Sequence, residues 1–371
     1  MRLLFDKHVG IRAIVAAVGV ISFAVGGLCF GQVDGLPMPT IGKRVSAEVD
    51  LIYKKGLQYL VKKQNEDGAW PTSSGFGSDT AGVTAICTMA LLSSGEDPNF
   101  GKFAPNIRRA LRKIIRSQNP RTGLFKGNTY DFGFAMLVLA VAYGAVDEQM
   151  LWEGVEKKSA KKTRSIGKAL ELAVGAAIIP EKKKQLVHGS WYSTGSSPSA
   201  GITDTSVAGS VLVGLLAARN AGIAVPDSTI DKAVDYFKMM TNKDGTVGYL
   251  GTPASNYGNS IARSSIATLV LRMAKRTELS AYTAASKHIA EDLDREYETH
   301  LYYGRYYMAQ ALFQSDYDSW VKWNRILIQR IQNERNEDGS VGSSTYGKSY
   351  STGISLLALA LNYRLLPVYE R

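Results

Sequence analysis

One short pattern recurs along this sequence and limits what it can fold into. A polar helical stretch stops at Gln64-Asn65-Glu66-Asp67-Gly68-Ala69-Trp70, then again at Asn242-Lys243-Asp244-Gly245-Thr246-Val247 and at Arg335-Asn336-Glu337-Asp338-Gly339-Ser340-Val341. Looser copies are Gln118-Asn119-Pro120-Arg121-Thr122-Gly123-Leu124-Phe125 and His188-Gly189-Ser190-Trp191. In each, Gly supplies the positive φ that a helix stop needs. The aromatic residue or Val two places later can fold back and plug the gap to the next unit. The interval from Gly245 to Gly339 is wide enough for two units, the hidden one turning near Tyr297 to Gly304. Six helical hairpins result.

The helices alternate in character. The first of a pair, such as Asp50 to Lys63, keeps its charges on one side and belongs outside. The second is apolar or small nearly all round, as in Ala81 to Leu92, Phe132 to Tyr143, Ser206 to Ala218, Ile261 to Met273 and Thr352 to Leu361. A helix without a polar face is buried on both sides. Two concentric rings satisfy this pattern, so the expected fold is all-α: an α/α toroid (α6/α6 barrel) over 48–371. An open solenoid would use repeats of ~34–47 residues and need polar caps at both ends. The 45% hydrophobic content is that of a globular chain.

Ahead of the repeats, Arg2, Lys7 and Arg12 precede an uncharged run from Ala13 to Gly31. This reads as a secretory signal peptide over 1–31, followed by a linker over 32–47. The alternative is an uncleaved anchor across a bilayer core of ~30 Å. Export to the periplasm or medium is the expectation, with Cys87 then alone and buried as a small hydrophobe. Two cysteines exclude a disulfide scaffold and a Cys-rich zinc site. The net charge of +11 favours anionic neighbours. Much of it sits in 157–184, with Lys157, Lys158, Lys161, Lys162, Arg164, Lys168 and Lys182-Lys183-Lys184. That stretch suits peripheral contact with an anionic membrane, at ~1 kcal/mol per basic residue. A solvated outer helix with pairs such as Glu153–Lys157 is the plainer reading. No nucleic-acid partner is expected of an exported chain.

The run Gly56…Tyr59-Leu60…Gln64…Gly68-Ala69-Trp70 resembles the QW-type repeat of the prenyltransferase/squalene-cyclase superfamily, and Ser78-Asp79-Thr80-Ala81-Gly82-Val83-Thr84-Ala85 resembles its inner-helix start. The resemblance implies a toroid with a ligand cavity at the centre of the ring. It does not extend to the family's chemistry. Asp79 follows Phe76-Gly77-Ser78, so the clustered acids of a D-x-D-D motif are missing. The four histidines are scattered and pair with no cysteine as zinc ligands, and Cys87-Thr88-Met89-Ala90 is no thioester motif. Neither metal nor cofactor is expected.

Polar and aromatic residues gather where the inner helices begin, on one rim of the ring. The candidate catalytic carboxylates are Asp79, Asp131 and Asp204. Candidate ligand-binding residues are Tyr130, Trp191, Tyr192, Tyr249, Tyr302, Tyr303, Arg305 and Tyr350. The same aspartates would also serve as N-caps, worth ~0.5–2 kcal/mol each. Three functions fit this layout. The first is a toroid holding an apolar, isoprenoid-like ligand in its central cavity. The second is a carbohydrate-active α6/α6 barrel using rim carboxyls ~5–9.5 Å apart. The third is a protein-interaction repeat module whose centre is filled by side chains.

Overall fold

The computed structural model describes residues 45–73, 81–155, 163–178, 189–191, 203–251, 260–296 and 300–363. The signal and most of the linker, Asp79, Tyr192 and most of the lysines of 157–184 lie outside the described residues. Thirteen helices are described: α1 (Ala47–Lys63), α2 (Ala81–Leu92), α3 (Ala104–Ser117), α4 (Thr129–Ala142), α5 (Glu148–Trp152), α6 (Ile166–Ile178), α7 (Thr205–Asn220), α8 (Asp227–Met240), α9 (Ile261–Met273), α10 (Ser280–Glu291), α11 (Leu301–Ser315), α12 (Tyr317–Glu334) and α13 (Lys348–Ala360). In place of strands the described residues hold three isolated bridges, one of them Asp204 with Leu250.

The helices form two rings. α2, α4, α7, α9, α11 and α13 each pack against the next, and α13 packs back against α2, so the inner ring closes. α2 is buried along almost its whole length, whereas α1 buries only Val49, Ile52, Tyr53, Leu57 and their neighbours on one face. α1, α3, α6, α8, α10 and α12 lie outside, and α5 is a short insertion against α3. The hidden hairpin, fifth in chain order, is α10 and α11, joined by residues 292–300. It turns without glycine: Gly304, expected in the turn, lies inside α11, and His300 takes the left-handed conformation at φ 60°.

The recurrent turn explains how one hairpin is tied to the next. The Trp70 indole N–H donates to the Leu60 carbonyl at 2.7 Å, closing the end of α1. The Gln64 amide donates to the Gly68 carbonyl and to Asn106 in α3, both at 3.0 Å, and accepts from Asn106 and Arg109. Gln118 repeats this, bonding Gly123 and then Ala169 of α6. At Gly68, φ is +92° and an added Cβ would lie 2.3 Å from the Arg109 carbonyl. The same approach to a carbonyl of the next outer helix recurs at Gly123, Gly189 and Gly245. Gly339 makes it with Lys55 of α1, joining the last unit to the first. The turn glycines thus satisfy two demands at once, positive φ and absence of a side chain.

The turn aspartates are conditioned by the same geometry. Asp67 accepts from Lys113 and the Ala69 N–H, Asp244 from the hydroxyl and N–H of Thr246, and Asp338 from those of Ser340. These bonds hold all three carboxyls below the usual range, led by Lys113, Thr246 and Ser340 respectively. A depressed carboxyl contributes stability above its unfolded pKa of about 4, and that contribution is lost as pH falls through the folded value. The thermal midpoint should therefore fall as pH drops below about 4. A triple Asp67→Asn, Asp244→Asn, Asp338→Asn variant should give a flatter curve there. A curve as steep as that of the parent protein would assign the acid sensitivity to other groups.

Candidate functional site

The inner helices all start on one rim, and the rim residues divide into those that hold the ring together and those that face inward. Asp131 belongs to the first group. Asn128 caps α4 by accepting from the Asp131 N–H at 3.0 Å, while the Asp131 carboxylate accepts from the Asn128 N–H at 2.8 Å. Its other oxygen accepts from the Gly82 N–H of α2 at 3.0 Å. Both oxygens are therefore engaged, and the residue clamps α2 to α4. Trp191, expected to face a ligand, is buried instead. Its indole N–H donates to the Ala177 carbonyl of α6 at 3.2 Å, the plug arrangement seen at Trp70.

Arg305 and Tyr302 form a second structural group. The Arg305 side chain is only 5% exposed and donates to Glu296 at 2.6 Å and to both oxygens of Glu334 at 2.8 and 3.0 Å. The Tyr302 hydroxyl donates to the same Glu334 at 3.0 Å, and burial followed by that carboxylate pushes its pKa up to about 12. Arg305 is committed to these partners rather than open to a ligand. With Arg295, Glu296, His300 and Arg330 it borders a pocket of about 30 Å³, room for a water molecule.

The inward-facing group is aromatic with one acid. Tyr130 of α4 meets Tyr303 of α11 edge-on at 5.8 Å, and Tyr303 meets Tyr307 at 4.7 Å. Tyr307 meets Tyr306 at 4.9 Å, and Tyr306 meets Phe134 of α4 at 6.2 Å. α4 and α11 stand opposite one another in the ring, so these five rings span its centre. The Tyr303 hydroxyl donates to the Ser206 carbonyl of α7 at 3.3 Å. Tyr350 is half-buried beside Tyr346, ring to ring at 4.9 Å.

Asp204 lies at the edge of this aromatic floor. It caps α7, accepting from the N–H groups of Ser206 and Val207 at 2.8 and 3.2 Å. Its other partner is the Tyr249 hydroxyl, held close because Thr205 N–H donates to the Tyr249 carbonyl at 3.1 Å. Burial nevertheless raises the Asp204 pKa above the ordinary carboxylate range, against the lowering effect of those bonds and of Arg263. Burial, then the nearby Asp204, pushes Tyr249 up to about 12 and Tyr130 well above its usual value. Arg263 stacks over the Tyr249 ring at 5.3 Å. The result is a carboxyl that holds its proton longer than usual, flanked by two phenols that stay protonated.

The structure thus brings Asp204, Tyr130, Tyr249 and Tyr303 together at one place and sets Asp131, Trp191 and Arg305 to structural tasks. Sequence reasoning missed Glu296, Glu334, Arg263 and Tyr346. Glu334 carried a signal: it ends an outer helix, where the macrodipole disfavours a carboxylate unless a cation compensates. Among the described residues no three of His, Cys, Asp and Glu gather as a metal-ligand set, and no helix is long and apolar enough to cross a membrane.

A family model described as "Domain of unknown function (DUF6288)" matches residues 49–365. No curated protein sequence matches the chain. Solved structures similar to it include an inactive variant of the alpha-1,6-mannanase GH76A of Salegentibacter sp. HEL1_6 in complex with alpha-1,6-mannotriose. It is 9% identical, with 86% of this chain and 99% of that chain covered and a TM-score of 0.59. A cellobiose 2-epimerase from Bacillus thermoamylovorans B4167 is 7% identical over 85% of this chain and 99% of its own, with a TM-score of 0.60. A D-mannose isomerase is 12% identical over 88% and 100%, with a TM-score of 0.58. These likenesses establish the α/α toroid. It is compatible with the prenyltransferase/squalene-cyclase resemblance, which rests on the repeat residues alone.

Proposed function

The chain belongs to the DUF6288 family, and from that premise we propose that it is an exported, carbohydrate-active toroid that holds a saccharide across the rim where its inner helices begin. The carrying observation is Asp204, a buried carboxyl with a raised pKa at the edge of an aromatic floor. Aromatic faces stack on sugar rings, and phenol and carboxyl groups read hydroxyls. The similar toroids named above are a mannanase, an epimerase and an isomerase, which supports this reading over an apolar, isoprenoid-like guest. The rings spanning the centre also occupy space that such a guest would need.

Within this reading Asp204 transfers a proton. Hydrolysis of the common kind places two carboxyls on opposite sides of the scissile bond. The mannanase variant is inactive with aspartates at two consecutive positions replaced, and this chain has no two consecutive aspartates. One acid between phenols suits general acid–base chemistry on a sugar, because a raised pKa brings the proton closer to working pH. Asp204→Asn tests this, since asparagine also caps helices. With a panel of manno- and cello-oligosaccharides, binding by calorimetry should persist and α7 remain folded. Turnover, followed by sugar NMR in deuterated water and by reducing-end release, should fall at least 100-fold. Absence of binding to every saccharide would overturn the proposal, and full turnover in the variant would remove Asp204 from the chemistry.

A further inference from the structure

The outer face carries a concentration of charge that the saccharide reading does not use. α3 places Pro105, Arg108, Arg109 and Arg112 along one stripe, at the i, i+3, i+4, i+7 spacing. Met150, Glu153 and Gly154, from α5 and the residues after it, face this stripe across a hollow of about 310 Å³. Among the described residues none of the three arginines pairs with a carboxylate; the ion pairs nearby join Lys113 to Asp67 and Lys102 to Glu96. Their present partners are neutral. Arg108 donates to the Asn99 carbonyl at 2.8 Å, Arg109 to the Gln64 amide oxygen at 2.9 Å, and Arg112 to the carbonyls of Leu151 and Glu153. These bonds fix where the guanidinium groups stand and leave most of their donors unused, and Arg109 Nε is buried with no partner at all.

Three cations held together without counter-charge repel one another. The Arg112 pKa is lowered accordingly, first by burial and then by Arg108, Arg116 and Arg109. Something of opposite sign would relieve that cost. A carboxylate is satisfied by one guanidinium fork, whereas three guanidinium-bearing residues lining one hollow offer enough donors for a tetrahedral dianion. We propose that the hollow between α3 and α5 binds a phosphate group, either free or as the monoester headgroup of a lipid, through Arg108, Arg109 and Arg112. The single acid on its border, Glu153, opposes the ligand and weakens the site.

The test uses the full chain. Calorimetric titration with inorganic phosphate and with glycerol 3-phosphate, at constant ionic strength set with chloride, should give saturable binding. Arg108→Gln, which gives up one bond to a loop carbonyl and leaves the α5 contacts of Arg112 in place, should weaken it about tenfold. Glu153→Gln should strengthen it several-fold, a gain that a misfolded variant could not produce. Cosedimentation with phosphatidylcholine vesicles containing phosphatidic acid separates the sources. Capture by those vesicles that depends on Arg108, without binding of soluble phosphate, assigns the lipid headgroup, and the reverse assigns the free ion. Absence of both, or affinities unmoved by Arg108→Gln and Glu153→Gln, would overturn the site.

Discussion

Alanine at Gly339 should destabilise the protein by about 3 kcal/mol or more, through two separable effects. The first is conformational. Gly339 has φ +86°, and a non-glycine residue held in that region costs on the order of 1 kcal/mol or somewhat more. The second is steric. A Cβ there would lie 2.6 Å from the Lys55 carbonyl oxygen and 3.1 Å from its carbon. That carbonyl belongs to α1, which is fixed against α13 and α2, so it cannot withdraw without opening the joint between the last hairpin and the first. Gly222 supplies the control: φ is +93° there, yet nothing lies within 4 Å of an added Cβ. Urea denaturation should show Gly222→Ala losing only the conformational part and Gly339→Ala losing at least twice as much. Equal losses would mean that the contact with α1 contributes nothing and that closure of the ring does not depend on this joint.

Replacing Arg305 with methionine should cost about 3–5 kcal/mol near neutral pH. Burial disfavours its charge, but bonds to Glu334 and then Glu296 outweigh this and leave its pKa raised. Its removal strands Glu334, 27% exposed, together with the Tyr302 hydroxyl that donates to it, and leaves Glu296, 30% exposed, with only Arg330 at 3.6 Å. Breaking such a group is expensive because the remaining charges lose their partner, while removing the whole group is close to neutral. A variant carrying Arg305→Met, Glu296→Gln and Glu334→Gln together should therefore recover most of the loss. A triple variant no more stable than Arg305→Met alone would indicate lost packing rather than stranded charge.

Much of the architecture was legible because each hairpin repeats a local instruction. A glycine stop, a glutamine before it and a plug after it are all defined within a few residues, so α2 and α9 begin and end where the apolar runs do. The hidden hairpin was legible from spacing, but its turn was not. Gly304 looked like a stop and is part of α11, where an added Cβ would lie 3.7 Å from the Ala262 side chain. Trp191 misled for a related reason: an aromatic residue on a turn serves equally as a plug or a ligand platform, and only the carbonyl of Ala177 distinguishes them. In the basic run, most of whose lysines lie outside the described residues, Arg164 donates to the Ile115 and Gln118 carbonyls at the end of α3.

The order of polar, apolar and glycine residues determined by itself that this chain makes six hairpins with buried inner helices. Those choices depend on backbone φ and on which face of a helix can meet water, both local properties. Only the tertiary structure decided which rim residues are spent on the ring and which remain to meet a ligand. Asp131 is occupied by a glycine 49 positions away, Arg305 by a glutamate 29 away, and Tyr303 reaches a carbonyl 97 away. Such partners meet only when separate hairpins close into a circle, and no pattern along the chain records that meeting.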